Sequence, residues 1–146
     1  MTTPNNAFQV EPYLVFNGNC AEALAFYQQA LGAQVDMIHR FKDSPDPSMC
    51  PPGLGDKIMH VSFRVGNNRL MASDGQCQPG QGFSGFHLSI GLKDEARAEQ
   101  IFAKLSDGGK VQMPLTKTFW APKFGMVTDR FGVSWMINVE GPPPQM

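Results

Sequence analysis

Residues 58–74 read IMHVSFRVGNNRLMASD. Two β-prone runs, Ile58–Val65 and Arg69–Asp74, flank Gly66-Asn67-Asn68, so the segment reads as a hairpin. With Asn67-Asn68 as a two-residue turn, Gly66 faces Arg69, Val65 faces Leu70, Arg64 faces Met71 and Ser62 faces Ser73. Alternation then gathers Met59, Val61, Phe63, Val65, Leu70 and Ala72 on one face, and His60, Ser62, Arg64, Met71 and Ser73 on the other. The first set is apolar and needs helices over it. The second is mixed in polarity and is expected on a concave face.

Upstream, Pro12-Tyr-Leu-Val-Phe16 is β-prone and a helix is expected over about 19–31. Cys20, Ala23, Leu24, Tyr27, Ala30 and Leu31 fall on one helical face. Asn19, with Glu22 three residues on, reads as a cap, and Gly32 as the stop. Val35–Phe41 reads as a strand, and the Pro/Gly/Ser-rich segment 42–56 as a loop.

Downstream, 75–85 reads as a linker. His87–Leu92 is a strand, and about 94–107 a helix with Asp94 as N-cap and Ala98, Ile101, Phe102 and Leu105 as its buried stripe. Val111–Leu115, Phe124–Thr128 and Val133–Val139 complete the strands. The order is β-α-β-β-β twice. Leu24, Tyr27 and Leu31 align with Ala98, Ile101 and Leu105, 74 residues on, and Val35 aligns with Val111, 76 on. The reading is therefore an α+β chain: a lead over 1–10, one domain over 11–140 built of modules 11–74 and 86–140, and a tail over 141–146. Each module covers one sheet face with its helix, so the two bare faces are expected to enclose a cleft or meet a partner.

On the fifth strand His87, Ser89 and Gly91 oppose the apolar Leu88, Ile90 and Leu92; on the last, Ser134, Met136 and Asn138 oppose Val133, Trp135, Ile137 and Val139. The candidate ligand-binding residues are His60, Ser62, Arg64, Met71, Ser73, His87, Trp120, Phe124 and Met136. Imidazoles, a guanidinium, hydroxyls and thioethers together suit a small polar or anionic ligand with an apolar part. His60 and His87 are also the candidates for acid/base catalysis, since histidine changes charge near neutral pH. Trp120 and Phe124, flanking Pro122, either wall the cleft mouth and stack on a ligand or pack over the core edge.

Hydrophobic residues make up 42% of the 146 and charged residues 17%, a globular balance. A net charge of −1 and the lack of a basic cluster interleaved with aromatics speak against nucleic acid and anionic membranes as partners. MTTPNNAFQVEPY is not a secretory signal and no apolar run approaches a membrane span, so a cytoplasmic location is expected. The cysteines, Cys20, Cys50 and Cys77, form no CxxC pair or zinc spacing and read as free thiols.

The segments PYLVFNGNCAEALAFYQQALGA and TFWAPKFGMVTDRFGVSWMINV resemble the PhnB-like, or 3-demethylubiquinone 3-methyltransferase-like, branch of the glyoxalase/bleomycin-resistance/dioxygenase superfamily, the vicinal oxygen chelate proteins. The resemblance covers about 11–140. It implies paired βαβββ modules, a cleft for a small molecule and a homodimer. In the metal-dependent enzymes it implies four ligands, typically His or Glu, from the first and last strands of each module. Those places fall on Pro12, Met71, His87 and Met136 here. A one-residue shift would put Phe86 in the place of His87 and restore none of the others. Proline offers no donor and thioether sulfur suits hard or borderline cations poorly. No metal and no other cofactor is therefore expected.

Gly80-Gln-Gly82-Phe-Ser-Gly85 spells GxGxxG but follows a linker and precedes a strand, the wrong context for a dinucleotide. No other glycine loop enters a helix to hold S-adenosylmethionine, so methyl transfer has no support in the residues. No serine nucleophile elbow and no cysteine nucleophile motif is present. Asp74 and Asp129 read as turn carboxylates, with Asp74 a possible polariser of a histidine. The expectation is a metal-free small-molecule-binding protein. The alternative is an enzyme of the same superfamily using histidine acid/base chemistry or a divalent metal held in an unrecognised way.

Overall fold

In the computed structural model, which describes residues 8–46, 52–75 and 82–141, the central hairpin turns one residue earlier than expected. Its strands are β3 (Ile58–Val65) and β4 (Asn68–Ser73), joined by Gly66-Asn67. Gly66 takes a φ of 60°, the left-handed conformation that a tight hairpin turn requires. Val65 thus pairs with Asn68, Arg64 with Arg69, Phe63 with Leu70 and Ser62 with Met71. Each residue meets a partner two positions from the expected one. A shift of two keeps parity, so the division into faces stands although the pairs were wrong.

The chain divides into two units, Met1–Gly80 and Gln81–Met146. The first holds β1 (Tyr13–Val15), α1 (Cys20–Leu31), β2 (Gln34–Arg40), a short 3-10 turn at Phe41–Asp43, β3 and β4. The second holds β5 (Leu88–Leu92), α2 (Glu95–Ser106), β6 (Lys110–Thr116), β7 (Lys123–Thr128) and β8 (Ser134–Val139). The sheets run β1-β4-β3-β2 and β5-β8-β7-β6. In each, the first strand pairs in parallel with the last and the other pairings are antiparallel. The twofold β-α-β-β-β order read from the sequence is therefore the architecture.

In the first unit, Cys20, Ala23, Leu24, Tyr27, Ala30 and Leu31 of α1 are buried, as are Leu14, Val61, Phe63, Leu70 and Ala72 on the sheet. The Tyr27 and Phe63 rings stack at 6.5 Å. Gly32, at φ 69°, ends the helix by donating its N–H to Gln28. The expected Asn19 cap does not form: its side chain makes no capping bond. The Oδ1 of Asp74 instead accepts from Gly18 N and Cys20 N, both at 2.9 Å. Its Oδ2 accepts from Ile58 N at 2.9 Å, so this one buried carboxylate ties the helix entry to the start of β3.

In the second unit, Ala98, Ile101 and Leu105 of α2 are buried, together with Val127, Trp135, Ile137 and Val139 on the sheet. Here the expected cap is present, with Asp94 Oδ1 accepting from Arg97 N at 3.1 Å. Asp129 is a second buried latch: it accepts from Phe131 N, Val133 N and the Trp135 indole N–H at 2.8, 3.1 and 2.8 Å. Among the described residues no helix is long and apolar enough to cross a membrane.

Candidate functional site

Each sheet has one face under its helix and one face turned away from it. Register lists what the turned-away face carries. In the first sheet the central row is Tyr13, Met71, Ser62 and Met37, read across β1, β4, β3 and β2. His60 lies two residues from Ser62 on the same face, paired with His39. In the second sheet the corresponding row is Ser89, Met136, Met126 and Met113. Met71 and Met136 thus occupy equivalent places, as do Met37 and Met113.

This register sets two of the expected ligand places, Pro12 and His87, outside the central rows. Strand β1 puts Tyr13, not Pro12, beside Met71; Pro12 contributes its carbonyl, which accepts from Met71 N at 3.0 Å. Strand β5 puts Ser89 beside Met136, while the exposed His87 precedes the strand by one residue. The parallel-paired strands thus set Tyr13 beside Met71 and Ser89 beside Met136: a phenol, an alcohol and two thioethers. Such a set is a poor one for a hard or borderline divalent cation. Among the described residues, no three His, Cys, Asp or Glu side chains are grouped as metal ligands would be.

In the first unit the structure brings His60, Ser62, Met71 and Ser73 to one face. Half-buried His60 meets Tyr13, whose hydroxyl lies 3.1 Å from Nδ1, with the ring centroids 5.6 Å apart. Ser62 and Ser73 are buried, and Ser73 Oγ accepts from Gly75 N at 3.1 Å. Arg64 is on the same face but already engaged at its edge. Its Nε reaches both oxygens of Asp36 at 3.1 and 3.2 Å, and Nη2 donates to Gln34 Oε1 at 3.2 Å. Asp36 stands at an irregularity of β2 between Val35 and Met37, which carries its carboxylate to the guanidinium.

In the second unit Phe124 and Met136 lie on the face away from α2. Gly125 lies on the other side: a Cβ there would come within 2.7 Å of the Phe102 ring of α2. Trp120 packs on Phe124 with centroids 5.3 Å apart, and Phe119 on Trp120 at 4.8 Å. Trp120 remains 46% exposed. Asn138 shares this face and pairs with Phe124 and Gly91. Its Oδ1 is buried and has no hydrogen-bond partner. Leaving such an acceptor unpaired costs about 1–3 kcal/mol.

Asp74 and Asp129 are structural latches rather than partners of a histidine. The GxGxxG segment falls partly outside the described residues; its Gly82 and Gly85 lead into β5, a strand and not a helix. Cys50 and Cys77 also lie outside them. Cys20 is a buried free thiol pushed up to about 12, by burial first and the charge of Asp74 second, which leaves it unreactive at neutral pH. Sequence reasoning did not single out Tyr13, Met37, Met113 and Met126. No local pattern reports them: β1 is three residues long, and the other three depend on the register of β2, β6 and β7.

A family model described as 3-demethylubiquinone-9 3-methyltransferase matches residues 8–138. Protein YjdN of Escherichia coli (strain K12) is 37% identical over 138 residues, which is 89% of this chain and 94% of YjdN. The crystal structure of protein PA1353 from Pseudomonas aeruginosa is 48% identical, at TM-score 0.82, over 92% of this chain and 98% of that one. The PhnB protein from Bacillus cereus is 26% identical, at TM-score 0.77, over 91% and 100%. A glyoxalase-related enzyme from Fulvimarina pelagi shares the fold alone, at 15% identity and TM-score 0.60 over 90% and 88%.

Proposed function

The chain belongs to the 3-demethylubiquinone-9 3-methyltransferase family, and from that premise we propose that it binds a small organic molecule, without a metal and without transferring a methyl group. The observation that carries this reading is the pair of equivalent central rows. Where superfamily enzymes would present imidazoles and carboxylates, these rows present Tyr13 and Met71, and Ser89 and Met136. Thioethers and hydroxyls make a polarisable surface of mixed polarity, which suits contact with an organic ligand better than coordination of a divalent cation. On the first sheet His60, Tyr13 and Ser62 add hydrogen-bonding groups to the half-buried Met71. The methyl transfer in the family's description has no such support, because no glycine-rich loop among the described residues opens a helix.

Two measurements test the proposal. Metal analysis of the purified protein is expected to find no stoichiometric nickel, zinc, manganese or iron; a stoichiometric ion would overturn the metal-free reading. A thermal-shift screen of small organic acids, phosphonates and quinone-like compounds is expected to give ligand-dependent stabilisation. That stabilisation should be lost when His60 and His87 are replaced by Ala. The homodimer implied by the resemblance belongs to the same proposal and is read by light scattering.

A second reading is favoured by one contact, the Tyr13 hydroxyl on His60 Nδ1. A phenol orienting an imidazole is an arrangement that moves protons, so the same face suits acid/base catalysis with His60 as the proton carrier. Conversion of a bound compound by the wild-type chain, and its loss in His60→Ala, would select this reading over simple binding.

A further inference from the structure

Three features of the second sheet converge on the face away from α2, and together they describe a ligand more closely than the proposed function does. The first is the thioether row. Met113, Met126 and Met136 are consecutive cross-strand partners on β6, β7 and β8, and all three are half-buried. Directly paired side chains on adjacent strands stand about 5 Å apart, so the three thioether side chains form a continuous polarisable floor. Thioethers contact aromatic rings favourably, and more so than saturated carbon.

The second feature is the aromatic pair at the edge of that floor. Phe124 sits two residues from Met126 on the same strand and face, and Trp120 packs across it with part of its ring still exposed. The third is Asn138, two residues from Met136 and paired with Phe124. Its Oδ1 is buried and unpartnered. Its cross-strand partners, Phe124 and Gly91, carry no side-chain donor. On its other side Gly91 has no side chain, and the space beside it is taken by Glu140, whose Cδ would lie 3.3 Å from a Cβ there. The Glu140 carboxylate is itself an acceptor, so a ligand must bring the donor.

We propose that this face is a subsite for a flat, unsaturated ring system carrying an O–H or N–H donor, with the ring lying on the methionines against Trp120 and Phe124 and the donor meeting Asn138 Oδ1. The assignment rests on the proposed small-molecule-binding function and names the ligand class within it. Flatness follows from the floor and the aromatic pair, and the donor follows from the orphaned acceptor.

Three probes of similar size test it on the unmodified chain: 2-naphthol, 2-methoxynaphthalene and decahydro-2-naphthol. The first is flat with a donor, the second flat without one, the third a donor without flatness. By calorimetric titration 2-naphthol should bind tightest, with each of the others about tenfold weaker. In spectra of protein labelled at the methionine methyl groups, 2-naphthol should move the signals of Met113, Met126 and Met136 by ring current. In Asn138→Leu the preference for the hydroxyl over the methoxy probe should vanish.

Equal binding of 2-naphthol and its saturated analogue, or shifts confined to other methionines, would overturn the subsite and leave the broader binding function standing. Failure of 2-naphthol to bind while other compounds stabilise the protein would do the same. Failure of every compound in both experiments would remove the function on which the subsite rests.

Discussion

Tyr13 and His60 are joined by a 3.1 Å hydrogen bond across the first sheet, although 47 residues separate them. The contact spans from β1 past β4 to β3, so it exists only once the parallel β1–β4 pairing has formed. If the phenol donates, Nδ1 of the neutral imidazole is the acceptor and the proton sits on Nε2. In nitrogen-15 spectra of the wild-type protein at pH 8 the His60 ring should therefore show the Nε2–H tautomer, and Tyr13→Phe should return it toward a mixture. A Nδ1–H tautomer in the wild type would reverse the direction of the bond and weaken the acid/base reading. The stability change in Tyr13→Phe should be about 1 kcal/mol or less, since this bond is open to solvent.

Asp74 governs a larger share of stability. It accepts from three main-chain N–H groups belonging to the loop before α1, to α1 itself and to β3. Replacement by Ala strands all three, and each buried unpaired donor costs about 1–3 kcal/mol. Urea unfolding of Asp74→Ala should show a loss of roughly 3 kcal/mol or more. Asp74→Asn keeps one accepting oxygen but turns an N–H toward a donor, and should lose about 2 kcal/mol. A near-neutral Asp74→Ala would show that the helix entry does not depend on this latch.

These contacts mark where the sequence was readable. Helix α2 was capped as read, because Asp94 and Arg97 are three residues apart and the rule is local. Helix α1 was not, because its cap comes from Asp74, more than fifty residues away, and no local pattern reports that. The faces of β3 and β4 survived a misplaced turn because the error preserved parity. Pro12 was read into the row of Met71, where the structure pairs Tyr13, since a three-residue strand offers too little alternation to set its phase. The thioether row went unseen for another reason: it is a property of register among three strands, and β6 is irregular between Val111 and Met113.

Gly125 should tolerate no side chain. A Cβ there would lie 2.7 Å from the Phe102 ring and 2.9 Å from the Leu115 Cα. The ring can turn but the backbone of β6 cannot move without disturbing its pairing with β7. Gly125→Ala should cost about 1–3 kcal/mol in urea unfolding, the range typical of overpacked interiors. Gly53→Ala, where nothing stands within 4 Å and the difficulty is only a φ of 77°, should cost about 1–2 kcal/mol, the price of a left-handed conformation at a non-glycine residue. Adding Phe102→Leu should recover part of the loss at Gly125 and none at Gly53. Equal behaviour at the two sites would show that conformation rather than crowding sets the cost at Gly125.

Cys20 makes stability depend on alkaline pH with a definite sign. Burial, and secondarily Asp74, raise its thiol from 9.0 to about 12 in the folded chain. Below pH 9 the thiol is protonated whether the chain is folded or not, and the favourable contribution is complete. Between pH 9 and about 12 the unfolded chain releases this proton and the folded chain keeps it, so stability falls as pH rises. The slope for one group approaches roughly 1.4 kcal/mol per pH unit, so the loss by pH 10.5 is about 2 kcal/mol. Lysines and tyrosines titrate in the same range, so the comparison must be with Cys20→Ala rather than with neutral pH alone. At pH 8 the variant should be the less stable, because it leaves a small void beneath α1. By pH 10.5 that gap should shrink or reverse. Two urea midpoints that fall in parallel from pH 8 to 10.5 would mean that the folded thiol ionises as readily as the unfolded one, and that Cys20 is not held in its neutral form.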